Sequence, residues 1–578
     1  MAVIYRIDMS EQTVRAEQPG QSYRELGGRG LTSTMLANEV APLCHPLSSE
    51  NKLVISPGLL TGTGAPCSGR LSVGAKSPLT GTIKESNAGG MAALALAALE
   101  IKAIVLEGKP EDDTLYRLVV TGDGVKIEPA GDLAGLGNYD TVARQFEEFG
   151  DKVTCISIGP AGEMCTSAAS VAVTDVEGRP TRHGGRGGLG AVMGSKRIKV
   201  IVIDPTGGRR PKSADPDAFK KAARKFAEAL KKHPLTSETL PTYGTNALAN
   251  VINEAGAYPT RNFSQGQFEG TEAISGERQH DIIVERDGMI AHACHRGCTI
   301  KCSRIYVDEN GQYVTKGPEY ETIWAHGADC GIDDFDAIAR MDRLDDDLGL
   351  DTIETGATIG VAMEAGIIPF GDAEGAIGLL EEVRKGTPLG RLVASGAEVL
   401  GKTYGVSRIP TVKGQSMPAY DPRAAQGIGV TYATSTMGAD HTAGYAITAN
   451  VLGVGGNVDP LQPENQVELS RNLQIATAAI DASGLCLFVA FAVLDDQNAM
   501  DAICEMFAAL LGRPFTADDF VGLGKEVLKK ERQFNAAAGF TSASDRLPNF
   551  FKTEQLAPHN ATFSVPDEAL DEVFDFVE

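Results

Sequence analysis

A chain of 578 residues is well beyond the length over which one hydrophobic core keeps growing, so about two to four domains are expected and three fit the pattern below. With 42% hydrophobic and 22% charged residues and no apolar run near about 18 residues, it excludes a membrane-spanning class. A formal net charge of −23 repels phosphate backbones and anionic lipid heads, which excludes nucleic acid and the membrane surface as partners.

The first residues, Met-Ala-Val-Ile-Tyr-Arg-Ile-Asp, lack the basic stretch and long apolar run of a secretory signal, so a cytoplasmic location is expected. Short β-type runs follow at Val3-Ile7, Lys52-Ile55, Ala103-Leu106, Leu115-Thr121 and Val200-Ile203, separated by Gly and Pro clusters. The turn-dense stretch beginning at Asp204 then gives way to a basic amphipathic segment, Pro216-His233. Helical periodicity dominates beyond it. In Asp334-Leu348, Phe335, Ile338, Met341 and Leu348 fall on one side, and Asp333 or Asp334 can cap the start. Further helices are expected at Gln466-Ile480, Ala499-Leu511 and Ala517-Ala538. The expected fold class is α+β: a β-rich N-terminal domain over 1–210, then mainly α-helical domains over 211–415 and 416–578.

Ten cysteines are too sparse for a disulfide scaffold. Cys44, Cys67, Cys155, Cys165, Cys330 and Cys504 are scattered and read as small buried hydrophobes. Cys294, Cys298 and Cys302 instead crowd three thiols into one loop, as a metal or iron-sulfur cluster requires. A fourth ligand must come from elsewhere, and Cys486, in an unusual Gly-containing turn, is the candidate. A zinc site, which favours paired Cys-x2-Cys knuckles, and a radical-type cluster, which favours a shorter final gap, are the alternatives. The acidity of the chain would suit a small redox partner docking through a local basic patch.

One internal echo stands out. Asp346-Asp-Leu-Gly349-Leu350-Asp351 and Asp481-Ala-Ser-Gly484-Leu485-Cys486 share the form Asp-x-x-Gly-Leu, each closing a helical stretch. As plain structure these are helix ends capped by a left-handed Gly. As chemistry, each Asp offers a carboxylate to a planar edge bearing paired N–H donors, such as a pterin. Gly-rich stretches supply backbone amides for an anion: Gly27-Gly-Arg29-Gly30, Ser68-Gly-Arg70, a flexible turn at Ser86-Asn87-Ala-Gly89-Gly90, and Gly184-Gly185-Arg186 through Lys196, where Arg186 and Lys196 flank the loop. Two acid-base candidates remain: His441, in a loop of small residues, and Glu321, after a Gly-Pro turn, with Glu319 equally placed by spacing.

Together these motifs resemble the aldehyde:ferredoxin oxidoreductase family over essentially the whole chain. The resemblance implies a β base covering two pterins that chelate one tungsten or molybdenum, with no protein ligand to the metal. It implies that Asp346 and Asp481 each hold a pterin, with Gly349, Leu350, Asp351, Gly484 and Leu485 shaping those turns. Arg70, Asn87, Gly89 and the region Arg182 to Gly185, with Gly184, would meet phosphates or a bridging Mg2+. Cys294, Cys298, Cys302 and Cys486 would ligate a [4Fe-4S] cluster, while Glu321, His441 and Tyr420 would stand beside the metal and substrate. The implied activity interconverts aldehydes and carboxylic acids, with electrons passing to ferredoxin or a ferredoxin-like subunit. Two departures are visible: the first gap of the triad is one residue longer than in archaeal members, and Arg340-Met-Asp-Arg343 replaces an iron-bridging Glu-x-x-His. An oligomer is compatible with the sequence, but an iron-bridged dimer is not expected. The competing readings are a sister enzyme that reduces an aromatic acyl thioester, a pure electron-transfer protein and a zinc-stabilised binding module.

Overall fold

The structure is a computed structural model and describes residues 2–577. Twelve strands lie within residues 3–203. They are β1 (Val3–Asp8), β2 (Thr13–Glu17), β3 (Leu53–Pro57), β4 (Leu71–Lys76), β5 (Ile83–Ala88), β6 (Ile101–Glu107), β7 (Tyr116–Thr121), β8 (Gly124–Pro129), β9 (Thr154–Ser157), β10 (Val171–Val173), β11 (Arg182–Gly184) and β12 (Ile198–Ile203). They form two six-stranded mixed sheets, ordered β2-β1-β6-β3-β4-β5 and β11-β10-β9-β12-β7-β8. The apolar runs that alternate with Gly and Pro become strands because Val, Ile and Leu fit a pleated surface buried on both faces; every residue of β3, β4 and β12 is buried. A shared core containing Ile55, Val73, Ile104, Ile156 and Ile201 joins the two sheets.

The sheets meet along their edges. Strand β5 ends the first sheet and lies beside β11, which ends the second, where Arg186 N–H donates to Ser86 Oγ at 3.2 Å. Ser86 and Asn87, read from sequence as a flexible turn, are therefore the end of an edge strand.

The remainder is mainly helical, as the α+β class requires. Pro216–Lys232 is capped by Asp215, whose side chain accepts from Ala218 N–H, with Pro at the first turn. Phe335–Leu348 is capped by Asp334, which accepts from the backbone of Asp336 and Ala337. Gln466–Ser483 and Ala517–Ala537 pack against each other and against the Gly28–Glu39 helix of the β region. Two features of this region escaped the helical pattern: a short two-stranded ribbon, Thr411–Val412 with Gln415–Ser416, and a three-stranded antiparallel sheet of β13 (Met289–His292), β14 (Ser303–Val307) and β15 (Tyr313–Lys316). The β13–β14 connection carries the cysteine triad. No helix among the described residues is long and apolar enough to cross a membrane.

Both echo motifs end their helices in left-handed glycines, Gly349 (φ +72) and Gly484 (φ +83). Each turn is clasped by a loop of the β region. Ser170 N–H donates to Gly349 O (2.8 Å) and Asp351 N–H to Ala168 O (2.9 Å), while Leu60 N–H donates to Ser483 O (2.8 Å) and Arg70 N–H to Gly484 O (3.1 Å). The approach is so close that a Cβ on Gly58 would overlap the backbone of Gly484, and one on Gly159 the carbonyl of Leu348. Gly58→Ala is therefore expected to lower stability by about 2 kcal/mol or more in urea denaturation. Gly131→Ala, where a Cβ meets nothing within 4 Å, should change it by less than about 0.5 kcal/mol.

Candidate cofactor and substrate site

The clasped turns face one cavity. Its wall includes Asp346, Leu350 and Asp351 from the first echo, Asp481 and Cys486 from the second, Cys294, Cys298 and Cys302 from the triad, and Glu321, Tyr420 and His441. Arg70, Asn87, Gly89, Arg182 and Gly185 line it as well. Gly349, Gly484 and Leu485 lie behind this lining as the turn and its buried anchor, and Gly184 is a strand residue paired with Val171.

The thiols converge from two stretches nearly 190 residues apart because Cys486 N–H donates to Cys67 O (2.8 Å) while Cys67 N–H donates to Gly297 O (3.0 Å). Cys67, taken from sequence as a buried hydrophobe, is thus the tie between the triad loop and the second echo. Its Sγ also lies 3.3 Å from Thr299 Oγ1 and accepts from Thr299 N–H at 3.4 Å. Buried thiols resist ionisation, and burial holds Cys302 and Cys486 above the usual thiol range. Arg182 and Arg70 stand close enough to Cys294 to favour its thiolate. The four-thiol set with adjacent guanidiniums suits an anionic iron-sulfur cluster.

The two aspartates differ in electrostatics. Lys316 Nζ donates to both oxygens of Asp346 (2.7 and 2.9 Å), and His183 Nε2 lies 3.1 Å from Oδ1. Burial alone would raise Asp346, but Lys316 and His183 hold it down at about 2. Burial pushes Asp481 up to about 6, since Arg29, at 3.3 Å, and the more distant Arg70 offset it only in part. Between them, Arg70 is fixed through Asn87, donating from Nε to Asn87 Oδ1 and from Nη2 to Asn87 O (3.2 Å). A Cβ on Gly89 would press on both Arg70 and Cys294, so glycine keeps this passage open. Arg182 donates to Ser303 Oγ (2.7 Å) and leaves its buried Nε without a partner, and His295 Nε2 is likewise unpaired. The unpaired, buried N–H of Arg182 on a polar wall fits a phosphate-bearing ligand, whereas the neutral His295, whose Nδ1 donates to Arg296 O, leaves Nε2 as an acceptor.

Two sequence readings of this wall need correction. Lys196 does not face the cavity: its buried Nζ donates to Ser48 O (2.9 Å) and Asn51 O (2.6 Å). Arg186 reaches the wall, but its N–H groups serve Ala439 O, Ser416 O and Asp351 Oδ2, so it braces the loop before His441.

Glu321 and Glu319, equivalent by spacing, separate by burial. Glu319 is part-exposed and accepts from Thr245 Oγ1 at 2.7 Å. Glu321 lies in the first turn of the Tyr320–His326 helix and accepts from Ala419 N–H through Oε2 (3.0 Å). Its Oε1 lies 3.3 Å from His441 Nε2, and both that oxygen and His441 Nδ1 lack hydrogen-bond partners. Burial pushes Glu321 up to about 8 and His441 down to about 4, so both are neutral at neutral pH. Tyr420 OH meets Tyr445 OH at 2.7 Å, and Tyr445 completes the wall around His441. Tyr445, Lys316, His183 and Arg29 are site residues that sequence reasoning missed. Arg29 lay in a Gly-rich motif already singled out and His183 within the Arg182–Gly185 region, while Tyr445 and Lys316 carry no local signal.

Linkage gives a measurable consequence. The folded protein holds the Glu321 proton up to about pH 8 whereas an unfolded carboxyl releases it near 4.5, so this group makes stability fall as pH rises across that window. His441, depressed from 6.5 to about 4, acts with the opposite sign below 6.5. Between pH 6.5 and 8 the Glu321 slope is unopposed by His441. Urea midpoints of cofactor-free protein should fall over that range, and less steeply in Glu321→Gln; equal slopes would refute the assignment.

Comparison with known proteins matches this geometry. Residues 4–205 match the aldehyde ferredoxin oxidoreductase N-terminal domain and residues 221–577 match domains 2 and 3 of the same family. A tungsten-containing aldehyde ferredoxin oxidoreductase of Pyrococcus horikoshii is 37% identical over 576 residues, covering 96% of this chain and 91% of the relative. One of Thermococcus kodakarensis is 37% identical over 572 residues, covering 95% and 91%. Among solved structures, the active site complex BamBC of benzoyl coenzyme A reductase superposes with a TM-score of 0.81 at 19% identity, covering 100% of this chain and 94% of that one, which is a likeness of fold.

Proposed function

The chain belongs to the aldehyde ferredoxin oxidoreductase family, and from that membership we propose that it is a cytoplasmic tungsten bis-pterin enzyme interconverting aldehydes and carboxylic acids. The observation that carries the reading is the convergence on one cavity of both Asp-x-x-Gly-Leu turns, four cysteines and the buried Glu321–His441 pair. The closeness to aldehyde oxidoreductases, at 37% identity, favours aldehydes over the acyl thioester chemistry of the more distant BamBC complex.

In this reading Asp346 and Asp481 would accept from the pterin N–H edges, and Arg70, Asn87 and the Arg182–Gly185 stretch would hold the phosphates together with a Mg2+ ion. Cys294, Cys298, Cys302 and Cys486 hold a [4Fe-4S] cluster. The tungsten centre, when bound, supplies Lewis acidity and accepts the electron pair.

The net reaction joins one water to the aldehyde carbon and releases two protons and two electrons. Neutral His441 donates an N–H hydrogen bond to the carbonyl oxygen, whose negative charge grows as water adds. Glu321, raised to about 8, takes the proton from that water in its ionised form, so turnover should rise as pH approaches 8. The tyrosine pair Tyr420–Tyr445 forms a dry wall that holds the carbonyl against these two groups. Arg70, between Asn87 and the Gly89 passage to Cys294, keeps the pterin side and the cluster side in register. The electrons leave singly for ferredoxin or a ferredoxin-like subunit.

Anaerobically purified protein should contain tungsten, iron and sulfide and reduce viologen dye with aldehydes but not with aromatic acyl thioesters. Glu321→Ala is expected to lose about 10²-fold or more in kcat at unchanged tungsten content. Cys486→Ser should lose iron and the broad visible absorption while the chain stays folded; full retention of both would remove it from the ligand set.

A further inference from the structure

We propose that Cys67, a fifth thiol outside the ligand set, sets the reduction potential of the cluster by donating its S–H to the sulfur of Cys298. The proposal rests on reading Cys294, Cys298, Cys302 and Cys486 as cluster ligands, and it adds a positioning residue that acts on the cluster through one of them.

Cys67 lies in the β3–β4 connection with a left-handed backbone (φ +56), a conformation uncommon for any residue but glycine. Backbone bonds on both sides hold it there. Its N–H donates to Gly297 O at 3.0 Å, and its carbonyl accepts from Cys486 N–H at 2.8 Å. The buried side chain turns into the triad loop, where Thr299 N–H donates to Sγ at 3.4 Å. Gly297 and Thr299 bracket Cys298, so the sulfur of Cys67 is held against that residue, and the two thiols stand within hydrogen-bonding reach.

The ligand role decides which thiol donates. A cysteine that binds iron does so as thiolate, so Cys298 has no proton to give. Cys67 keeps its own, because ionising it would set a second negative sulfur, desolvated, against the first. Thr299 Oγ1, 3.3 Å from Cys67 Sγ, can direct its O–H at that sulfur as its N–H does, which leaves the one S–H free for Cys298. Cys298 Sγ also accepts from Lys301 N–H at 3.3 Å, whereas Cys294 has the cations Arg70 and Arg182 as neighbours. Reduction adds negative charge that spreads onto the ligand sulfurs, and a hydrogen bond to such a sulfur stabilises the reduced form and raises the potential.

A purely structural tie predicts a different result from a tuning bond. Glycine at position 67 adopts the same left-handed backbone, so it keeps the bonds to Gly297 and Cys486 and removes only the thiol. Anaerobic holoenzyme is titrated potentiometrically, with the reduced cluster followed by electron paramagnetic resonance. In Cys67→Gly the ratio of reduced to oxidised cluster at a fixed potential should fall about three- to tenfold, the latter a midpoint lowered by about 59 mV for one electron, at wild-type iron content. Cys67→Ser, whose O–H still donates, should lie nearer the wild type. If Cys67→Gly assembles no cluster, Cys67→Ala takes its place in the same titration. A midpoint unchanged without the thiol, or iron lost from all three variants, overturns the proposal. Wild-type protein that holds no iron and sulfide removes the cluster reading itself, a failure seen before any variant is made.

Discussion

Backbone pressed on backbone holds this molecule together where it matters. The loop at Gly58 meets Gly484, and the loop at Gly159 meets Leu348 and Gly349, each at a distance that admits no side chain. Interiors are close-packed, so a contact of this kind has one register. It sets the last turns of two helices, and with them Asp346 and Asp481, on the platform made by the two sheets. The same clasp carries Cys486, because the residues after Gly484 run straight into the hydrogen bond with Cys67. Sheet, carboxylate and thiol are thus positioned by one set of glycines.

Around that frame the protein buries charge on a scale that folding alone would not favour. Arg29 and Glu531, each 1% exposed, form a two-pronged pair (2.8 and 2.9 Å), and Ser33 and Thr436 complete the carboxylate's hydrogen bonds. Desolvating such a pair roughly cancels its attraction, whereas removing one partner costs about 3–5 kcal/mol. Its structural effect is to lock the Gly28–Glu39 helix to Ala517–Ala537 and to leave Arg29 beside Asp481. Lys316 does the same for Asp346, tying β15 to the Phe335–Leu348 helix through both Asp342 and Asp346. Charged walls held this rigidly are suited to bind anionic cofactors without rearrangement, because the ordering cost is met on folding.

The Glu321–His441 pair shows the reverse logic. Glu321 and His441 are largely buried, their countercharges, Arg186 for the one and Asp440 at 4.0 Å for the other, are too weak to offset desolvation, and both become neutral. Asp440, the neighbour of His441, stays ionised although burial opposes it, because Lys84 (2.9 Å) and Arg186 face it. Adjacent residues thus both sit deprotonated, Asp440 charged because cations reach it and His441 neutral because burial disfavours its cation. A neutral imidazole and a carboxyl that titrates near working pH are matched to donating a hydrogen bond and accepting a proton.

Much of this was written locally in the chain. Helix starts follow from Asp215 and Asp334, strands from β-branched runs, and the left-handed ends at Gly349 and Gly484 from the repeated Asp-x-x-Gly-Leu, since only local backbone chemistry is involved. The cysteine spacing and the two aspartates were legible for the same reason. Partners that meet across hundreds of residues were not: Arg29 finds Glu531 some 502 positions away, Cys67 reaches the triad loop across 232, and Tyr420 is completed by Tyr445 only because a loop folds back on it. Glu319 and Glu321, two residues apart on a helix start, are indistinguishable by pattern; both line the cavity, but Glu319 stays part-exposed with Thr245 and Arg182 as neighbours, while Glu321 is set deeper, beside His441. The sequence alone determined which chemical groups are present and how each short segment folds. Only the tertiary structure decided which of them face each other and in which charge state, because burial and long-range pairing, not local propensity, set proton affinity and orientation.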